Sequence, residues 1–415
     1  MYKVLVASLV VLNCYGSAYR NNVCKSFADY ATIATNPNCY YNPDVGSPPA
    51  LIAKRNGYPF QKYKVQTKDG YILSLFRIPN NNTDKTGPRQ PLILQHGIAI
   101  NSAAWLLQGK KSLAFYLVDK GYDVWLTNSR GVQYSTQHVN LTLDHPDYWN
   151  FSFHEMGVYD LPAIIDFVAK TTGQAGRIVY IGHSMGTTMS YIYASLMPDH
   201  AKQNLRGIIS LAPIAYLRHV RSAAKLIVPF ADIIGDILKM FGLHGIGQFP
   251  RLQRALVDNT CNVYPFMWPC ELANFFVTGV AAGQVSAEMT PVLFSHFPSG
   301  ISVKTIIHFS QMFRRHSLVY FDYGPRWNLL KYQSVVPNEY PLENINVPVH
   351  LIAGNNDFLS DTRDVQILYE KLKTNKTYQI VTENGKYDFA HNDYFIGIHV
   401  KEFRKYLLKL LDDLR

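Results

Sequence analysis

Three side chains suited to acyl transfer occur along this chain in the order Ser184, Asp357, His391. A serine hydroxyl is a weak nucleophile at its ordinary pKa. It becomes a strong one when an imidazole takes its proton and a carboxylate holds that imidazole in the right tautomer. Ser184 lies in Gly182-His183-Ser184-Met185-Gly186. Gly-x-Ser-x-Gly alone occurs by chance as a plain tight turn. Here an apolar, β-prone run (177–181) precedes it and a helix-compatible run (187–196) follows. A strand–turn–helix junction of that kind pushes the serine Oγ into the open, and small residues on either side let strand and helix approach. Asp357 follows the apolar run 348–354, which ends in Gly354-Asn355-Asn356. An acid just past a parallel strand sits at the carboxyl edge, where Ser184 also sits. Asp361 and Asp364 are neighbouring alternatives, Asp364 reading as the N-cap of a helix over 365–372. His391 lies in a polar loop before a last helix over 394–414. A tetrahedral intermediate also needs backbone N–H donors. One is expected from Met185, after the nucleophile, and one from Ile98, in the loop after His96-Gly97.

The elements that must position these groups read as alternating strands and helices. Strands are expected at Gln61–Gln66 and Tyr71–Ile78, joined by a turn containing Asp69-Gly70, a strong hairpin signal. Further strands are expected at Pro91–Gln95, 123–127, 177–181, 207–212, 348–354 and 378–382. Helices are expected at 104–120 and 159–170. Strands alternating with helices mean parallel β-α-β units, hence an α/β fold with a mostly parallel central sheet flanked by helices. Residues 213–343 break this rhythm and read as a mainly helical insertion over the carboxyl edge of the sheet. Within it, 226–241 carries Asp232, Asp236 and Lys239 at helical spacing with apolar residues around the rest. That suits a helix with a wide apolar face, either packed on the core or serving as a lid. The expected organisation is 1–18 as a signal peptide, 19–212 as the first part of the core, 213–343 as the cap and 344–415 as the second part.

The chain has 415 residues, 47% apolar and 17% charged, with a formal net charge of +10. That is globular composition with ample core. No basic block alternates with aromatics as in a nucleic-acid groove, so no nucleic-acid partner is expected. Residues 1–18 carry Lys3, a short apolar run and Gly16-Ser17-Ala18, the pattern of a secretory signal. No stretch is long enough to span a bilayer. After loss of Cys14 with the signal, Cys24, Cys39, Cys261 and Cys270 remain and allow three pairings. Cys24–Cys39 and Cys261–Cys270 close the shortest loops and are expected. No C-x-x-C occurs, and neither a metal nor a cofactor is expected. Sequons fall at Asn81, Asn140, Asn150 and Asn375; Asn150 lies in an aromatic stretch that reads as buried, and it is the least expected of the four to carry a glycan.

These stretches together resemble the acid lipase family of α/β-hydrolases, which includes gastric, lysosomal and insect secreted lipases. The resemblance is carried by Gly57-Tyr58-Pro59, Asp69-Gly70-Tyr71, Leu94-Gln95-His96-Gly97, Asn128-Ser129-Arg130-Gly131 and His154-Glu155-Met156-Gly157. It continues through the serine motif, Ser295-His296-Phe297-Pro298-Ser299-Gly300, the run from Gly354 to Leu359, and Phe389-Ala390-His391-Asn392-Asp393-Tyr394. It runs from about residue 40 to the end. It implies the α/β-hydrolase fold with a helical cap and lid, lipid-ester hydrolysis at an oil–water or membrane interface, a triad on Ser184, Asp357 and His391, and oxyanion donors at Ile98 and Met185. Met185 stands where gastric-type members carry Gln, and Phe358-Leu359-Ser360-Asp361-Thr362 departs from the usual Leu-Ala-Asp-Pro. The resemblance offers no counterpart for a Cys24–Cys39 pair. Alternatives are a sterol esterase or general carboxylesterase, or an inactive secreted lipid-binding protein. A secreted monomer is the default, with the lysosome as the other location.

Overall fold

The β-prone runs become neighbouring strands. In the computed structural model, which describes residues 20–79 and 88–415, they are β1 (Gln61–Gln66), β2 (Tyr71–Ile78), β3 (Pro91–Gln95), β4 (Asp123–Leu126), β5 (Ile178–His183), β6 (Leu205–Leu211), β7 (Val349–Gly354) and β8 (Lys376–Val381). The expected signal peptide and Asn81 lie outside the described residues. The sheet runs β8-β7-β6-β5-β3-β4-β2-β1, and a two-residue strand, Gln137–His138, pairs with the start of β2. From β4 to β8 every pairing is parallel, whereas β1 and β2 join antiparallel at one edge.

Parallel strands covered on both faces are apolar throughout, and β3, β4, β5 and β7 are buried at every position. Successive side chains point to opposite faces. Ile93, Trp125, Tyr180 and Leu351 join one core; Leu92, Leu94, Val124, Val179, Ile181 and Ile352 join the other. The flanking helices are α1 (Leu113–Asp119), α2 (Leu161–Thr172), α3 (Met185–Leu196), α8 (Thr362–Lys371) and α9 (Lys401–Asp413). Between Leu211 and Val349 the sheet receives no strand. That stretch holds α4 (Ala231–Met240), α5 (Pro250–Asn259), α6 (Met267–Thr278), α7 (Val303–Arg315) and a two-residue ladder, Gly245–Ile246 against Ile301–Ser302.

Several helices differ from the sequence expectation for identifiable reasons. The helix expected over 104–120 is two short 3-10 turns followed by α1, broken where Gly109 takes φ +53°. The helix expected over 159–170 is entered through a π turn, Met156–Asp160, and starts at Leu161. The helix expected over 226–241 is likewise two 3-10 turns before α4. Pro229 has no N–H for an α-helical bond and clashes with the preceding turn. The last helix divides at 397–400, where Gln284 bonds the N–H groups of Ile398 and His399 through its backbone and side-chain oxygens. Asp364 is not an N-cap. Asp361 caps α8 by accepting from the Arg363 N–H at 3.0 Å.

Cys24 is bonded to Cys39 and Cys261 to Cys270. Asn140, Asn150 and Asn375 are all exposed. The aromatic stretch around Asn150 is buried through Tyr148, Trp149 and Phe151, but these turn inward and leave Asn150 itself on the surface. Among the described residues no helix is long and apolar enough to cross a membrane, and no group of three or more His, Cys, Asp or Glu could hold a metal ion.

Candidate active site

Ser184 stands between the last residue of β5 and the first of α3. Its backbone has φ +53° and ψ −121°, a conformation rare and strained for any residue with a Cβ. The Ser184 N–H donates to Leu211 O at 3.0 Å, and its carbonyl accepts from the Thr187 N–H and hydroxyl at 2.8 and 2.7 Å. The flanking glycines make the turn possible. A Cβ on Gly182 would lie 2.8 Å from the Gly186 carbonyl carbon, and one on Gly186 would lie 2.8 Å from Gln95 Cγ.

The three residues singled out in the sequence meet here. The Ser184 hydroxyl donates to His391 Nε2 at 2.8 Å, and His391 Nδ1–H donates to Asp357 Oδ2 at 2.8 Å. The other Asp357 oxygen accepts from the Leu359 and Ser360 N–H groups, each at 2.8 Å, so a carboxylate with no solvent exposure is fully bonded. The alternative acids are engaged elsewhere: Asp361 at its cap, and Asp364 with the His219 backbone and ring at 2.8 and 2.7 Å.

The fold and these contacts can be set beside known proteins. Residues 50–109 match the partial alpha/beta-hydrolase lipase region, and residues 90–234 match the alpha/beta hydrolase fold. Gastric triacylglycerol lipase of Bos taurus is 35% identical over 84% of this chain and 88% of its own length. Lipase member K of Homo sapiens is 32% identical, covering 86% and 88%. Lipase lipl-1 of Caenorhabditis elegans is 33% identical, covering 89% and 92%. The chain belongs to the acid lipase family of α/β-hydrolases. A solved structure of DcsB with its substrate analogue shares the fold, at a TM-score of 0.50 and 14% identity over 86% of this chain and 99% of that one.

As an acid lipase the protein is a serine ester hydrolase, and the surroundings of Ser184 suit an apolar ester. Two cavities, about 410 and 310 Å³, meet at Ser184 and share Ile98, Val277, Ile306 and Leu359 in their walls. On one side of the serine lies Gly97, where a Cβ would sit 3.0 Å from Ser184 Cβ. Ile98 follows, then Ala99 with φ +55°, its carbonyl held by the Ser299 N–H at 2.5 Å. On the other side, Met185 opens α3, so its N–H belongs to the first helical turn, where donors have no partner within the helix.

Two histidines that this acid lipase places beside the triad were not singled out as working residues in the sequence. His183 Nε2–H donates to the backbone oxygen of His391 at 2.8 Å, across 208 residues of chain. Burial, first of all, holds its pKa well below the ordinary imidazole value, so the ring is neutral. His96 Nδ1–H donates to Gly97 O at 2.8 Å, and its Nε2 accepts from the Ser129 N–H at 3.1 Å. Burial pushes its pKa down to about 4. Both stiffen a loop beside Ser184. Their positions next to Gly97 and Ser184 were the available signal, but Ser129 and His391, which tie them to other loops, lie far along the chain.

Proposed function

We propose that this lipase hydrolyses carboxylic esters of neutral lipids, triacylglycerols first, through an acyl-enzyme on Ser184. His391 takes the Ser184 proton as the oxygen attacks the ester carbonyl and returns it to the leaving alcohol. A water activated by the same imidazole then releases the fatty acid. Asp357 fixes the imidazole tautomer and stabilises the imidazolium. The Ile98 and Met185 N–H groups stabilise the oxyanion, an effect worth about 2.7–4 kcal/mol for one donor in comparable sites. The observation that carries this reading is the unbroken run of hydrogen bonds Ser184–His391–Asp357 opening on apolar cavities. The relatives named gastric triacylglycerol lipase support the choice of ester.

Residues 213–343 work in this reading as a cap, and the segment containing α4 works as its lipid-facing part. The protein acts outside the cell at an oil–water or membrane interface. Two disulfides and three exposed sequons support an oxidising, glycosylating route. The test is hydrolysis of triolein emulsion, cholesteryl oleate and a soluble butyrate ester by wild type and Ser184→Ala. The expected result is triolein cleavage lost entirely in the variant. Cleavage of the soluble ester alone would leave a general carboxylesterase, and preference for cholesteryl oleate a sterol esterase.

A further inference from the structure

Helix α6 connects two places that the chain keeps far apart. At its C-terminal end the carbonyl of Thr278 accepts from the backbone N–H of His391 at 3.2 Å and from that of Phe358, next to Asp357, at 3.4 Å. One cap carbonyl therefore pins both loops that carry the base and the acid. Around it, Asn274 Oδ1 accepts from the Asn392 side-chain amide at 3.2 Å, and Val280 O accepts from the Asn356 amide. Gly279 has φ +105°, and a Cβ there would lie 2.3 Å from Asn356 O, so the backbones are in direct contact.

At the other end, about 16 Å away for a helix of twelve residues, the first turn of α6 is gripped by the N-terminal hairpin. Two-residue strands, Val23–Cys24 and Cys39–Tyr40, are paired and joined by the Cys24–Cys39 disulfide. Cys24, Tyr30 and Cys39 share a small core of their own with Met267 and Ala287, separate from the two large cores. The Tyr30 hydroxyl donates to Ala287 O at 2.9 Å, the Tyr40 hydroxyl to Glu288 at 3.0 Å, and the Phe27 ring lies 4.9 Å from that of Trp268. The hairpin grips the end of α6 farther from the loops of His391 and Asp357.

We infer that the Cys24–Cys39 hairpin is a positioning element of the catalytic site: by fixing the start of α6 it fixes Thr278, and through that carbonyl the loops of His391 and Asp357. This rests on the triad reading given above. A helix is stiff along its axis, so a shift at Met267 and Trp268 is transmitted to Thr278. Serine hydrolysis is sensitive to such shifts, because misplacement of a reacting group by about 1 Å costs roughly 100-fold. The residues that carry the effect are Tyr30 and the disulfide at one end and Thr278 at the other; Tyr30, Cys24 and Cys39 lie outside the walls of both cavities at Ser184.

The test compares Cys24→Ser/Cys39→Ser and Tyr30→Phe with Tyr58→Phe, which removes a tyrosine bond to Asp119 at 2.9 Å away from α6. Each folded protein is assayed on a soluble butyrate ester, which needs no interface, for kcat and KM. The rate of organophosphate labelling of Ser184 and the melting temperature are also measured. The double serine variant is expected to lose roughly tenfold in kcat with KM within about twofold, and labelling is expected to slow in parallel. Tyr30→Phe should show a smaller loss of the same kind, and Tyr58→Phe none. If the double variant does not fold, Tyr30→Phe decides. A lowered melting temperature with kcat and labelling unchanged would overturn the inference and leave the hairpin a stabilising staple. An equal kcat loss in Tyr58→Phe would overturn it too. If wild type neither hydrolyses the ester nor is labelled, the triad reading has failed and this inference with it.

Discussion

The sheet core and the 226–241 segment of the insertion place their polar and apolar groups in opposite ways. In the core, Ser184, Asp357 and His391 are at most 5% exposed, and their hydrogen bonds run without a gap from the hydroxyl to the acid-loop N–H groups. In 226–241, eight large apolar side chains, from Leu226 to Phe241, are 40–74% exposed. Helix α4 packs on α7 through its small residues: Ala231 is buried, and a Cβ on Gly235 would lie 2.6 Å from Ile307 Cδ1. Asp232 pairs with Arg314 at 2.7 Å, while Ile233, Ile237 and Met240 face solvent. The core is complete in water, which is what a preorganised site requires. This segment leaves apolar surface uncovered, which the lipid-facing role proposed for it requires.

The sharpest way to break the comparison is to damage the core alone. Ser184→Ala or His391→Ala should lower kcat on every ester by roughly 10⁴-fold or more, with the fold intact by circular dichroism. Asp357→Asn should cost roughly 10⁴-fold. Asp361→Asn should do no more than weaken a helix cap, so equal losses in the two would mean the wrong acid was assigned. Gly97→Ala comes next. Its Cβ would press on Ser184 and on His183 Nδ1, each at 3.0 Å, and shift the loop carrying the Ile98 N–H. A kcat loss of roughly 10²–10³-fold, equal on soluble and emulsified esters, is expected. An unchanged kcat would remove Ile98 from the oxyanion role.

What was legible in the sequence follows the same division. β1, β2 and β3 have the expected bounds: the Asp-Gly turn between β1 and β2 fixes where that hairpin's strands meet, and β3, covered on both faces, stays apolar along its length. The serine turn was legible because only glycines let Gly182 and Gly186 meet. The helix cap was misread because Asp361 and Asp364 both suit a helix start. The choice depends on Asp357, which takes the Leu359 and Ser360 N–H groups and so lets the helix begin at Thr362. The bonds that Thr278 and His183 make to the loops of Asp357 and His391 were not legible, since a carbonyl or a ring that holds a loop far along the chain leaves no local pattern. The outward face of 226–241 left a pattern without a direction: apolar residues at helical spacing do not say whether protein or lipid covers them.

A second measurement bears on a buried group of α6. Glu271, on α6, is 1% exposed, and burial raises its pKa to about 7 from an ordinary value near 4.5. The folded state then holds a proton that the unfolded chain has lost above about pH 4.5. Stability from this group is full below that pH and is lost as pH rises through about 7. Asp393, raised by burial to about 8, acts in the same direction. Below about pH 6.5 the histidines that burial keeps neutral, His96 and His183 among them, act in the opposite direction, because the unfolded chain takes up protons there that the folded state does not. Melting temperature should therefore fall from about pH 6.5 to pH 8, and Glu271→Gln should flatten part of that fall, by about 1 kcal/mol. An unaltered slope in Glu271→Gln would exclude Glu271 as its source.

The smallest expected effect tests the outward face of α4 directly. Ile233 is 61% exposed, and no core cluster includes it. Ile233→Asp should leave the melting temperature within a degree or two, because an exposed helix position contributes little to folding. If α4 meets lipid, the isoleucine is buried there. Transfer of such a side chain out of water is worth about 1.5–3 kcal/mol, and an aspartate loses it. Activity on triolein emulsion should fall by roughly tenfold or more, while kcat on a soluble butyrate ester stays within twofold. The soluble substrate reaches Ser184 without an interface, so it reads the core alone. Equal losses on both substrates would mean that α4 shapes the site itself. No loss on either would assign the exposed face of α4 to something other than lipid, and the contrast between a core finished in water and a cap segment completed at an interface would fall.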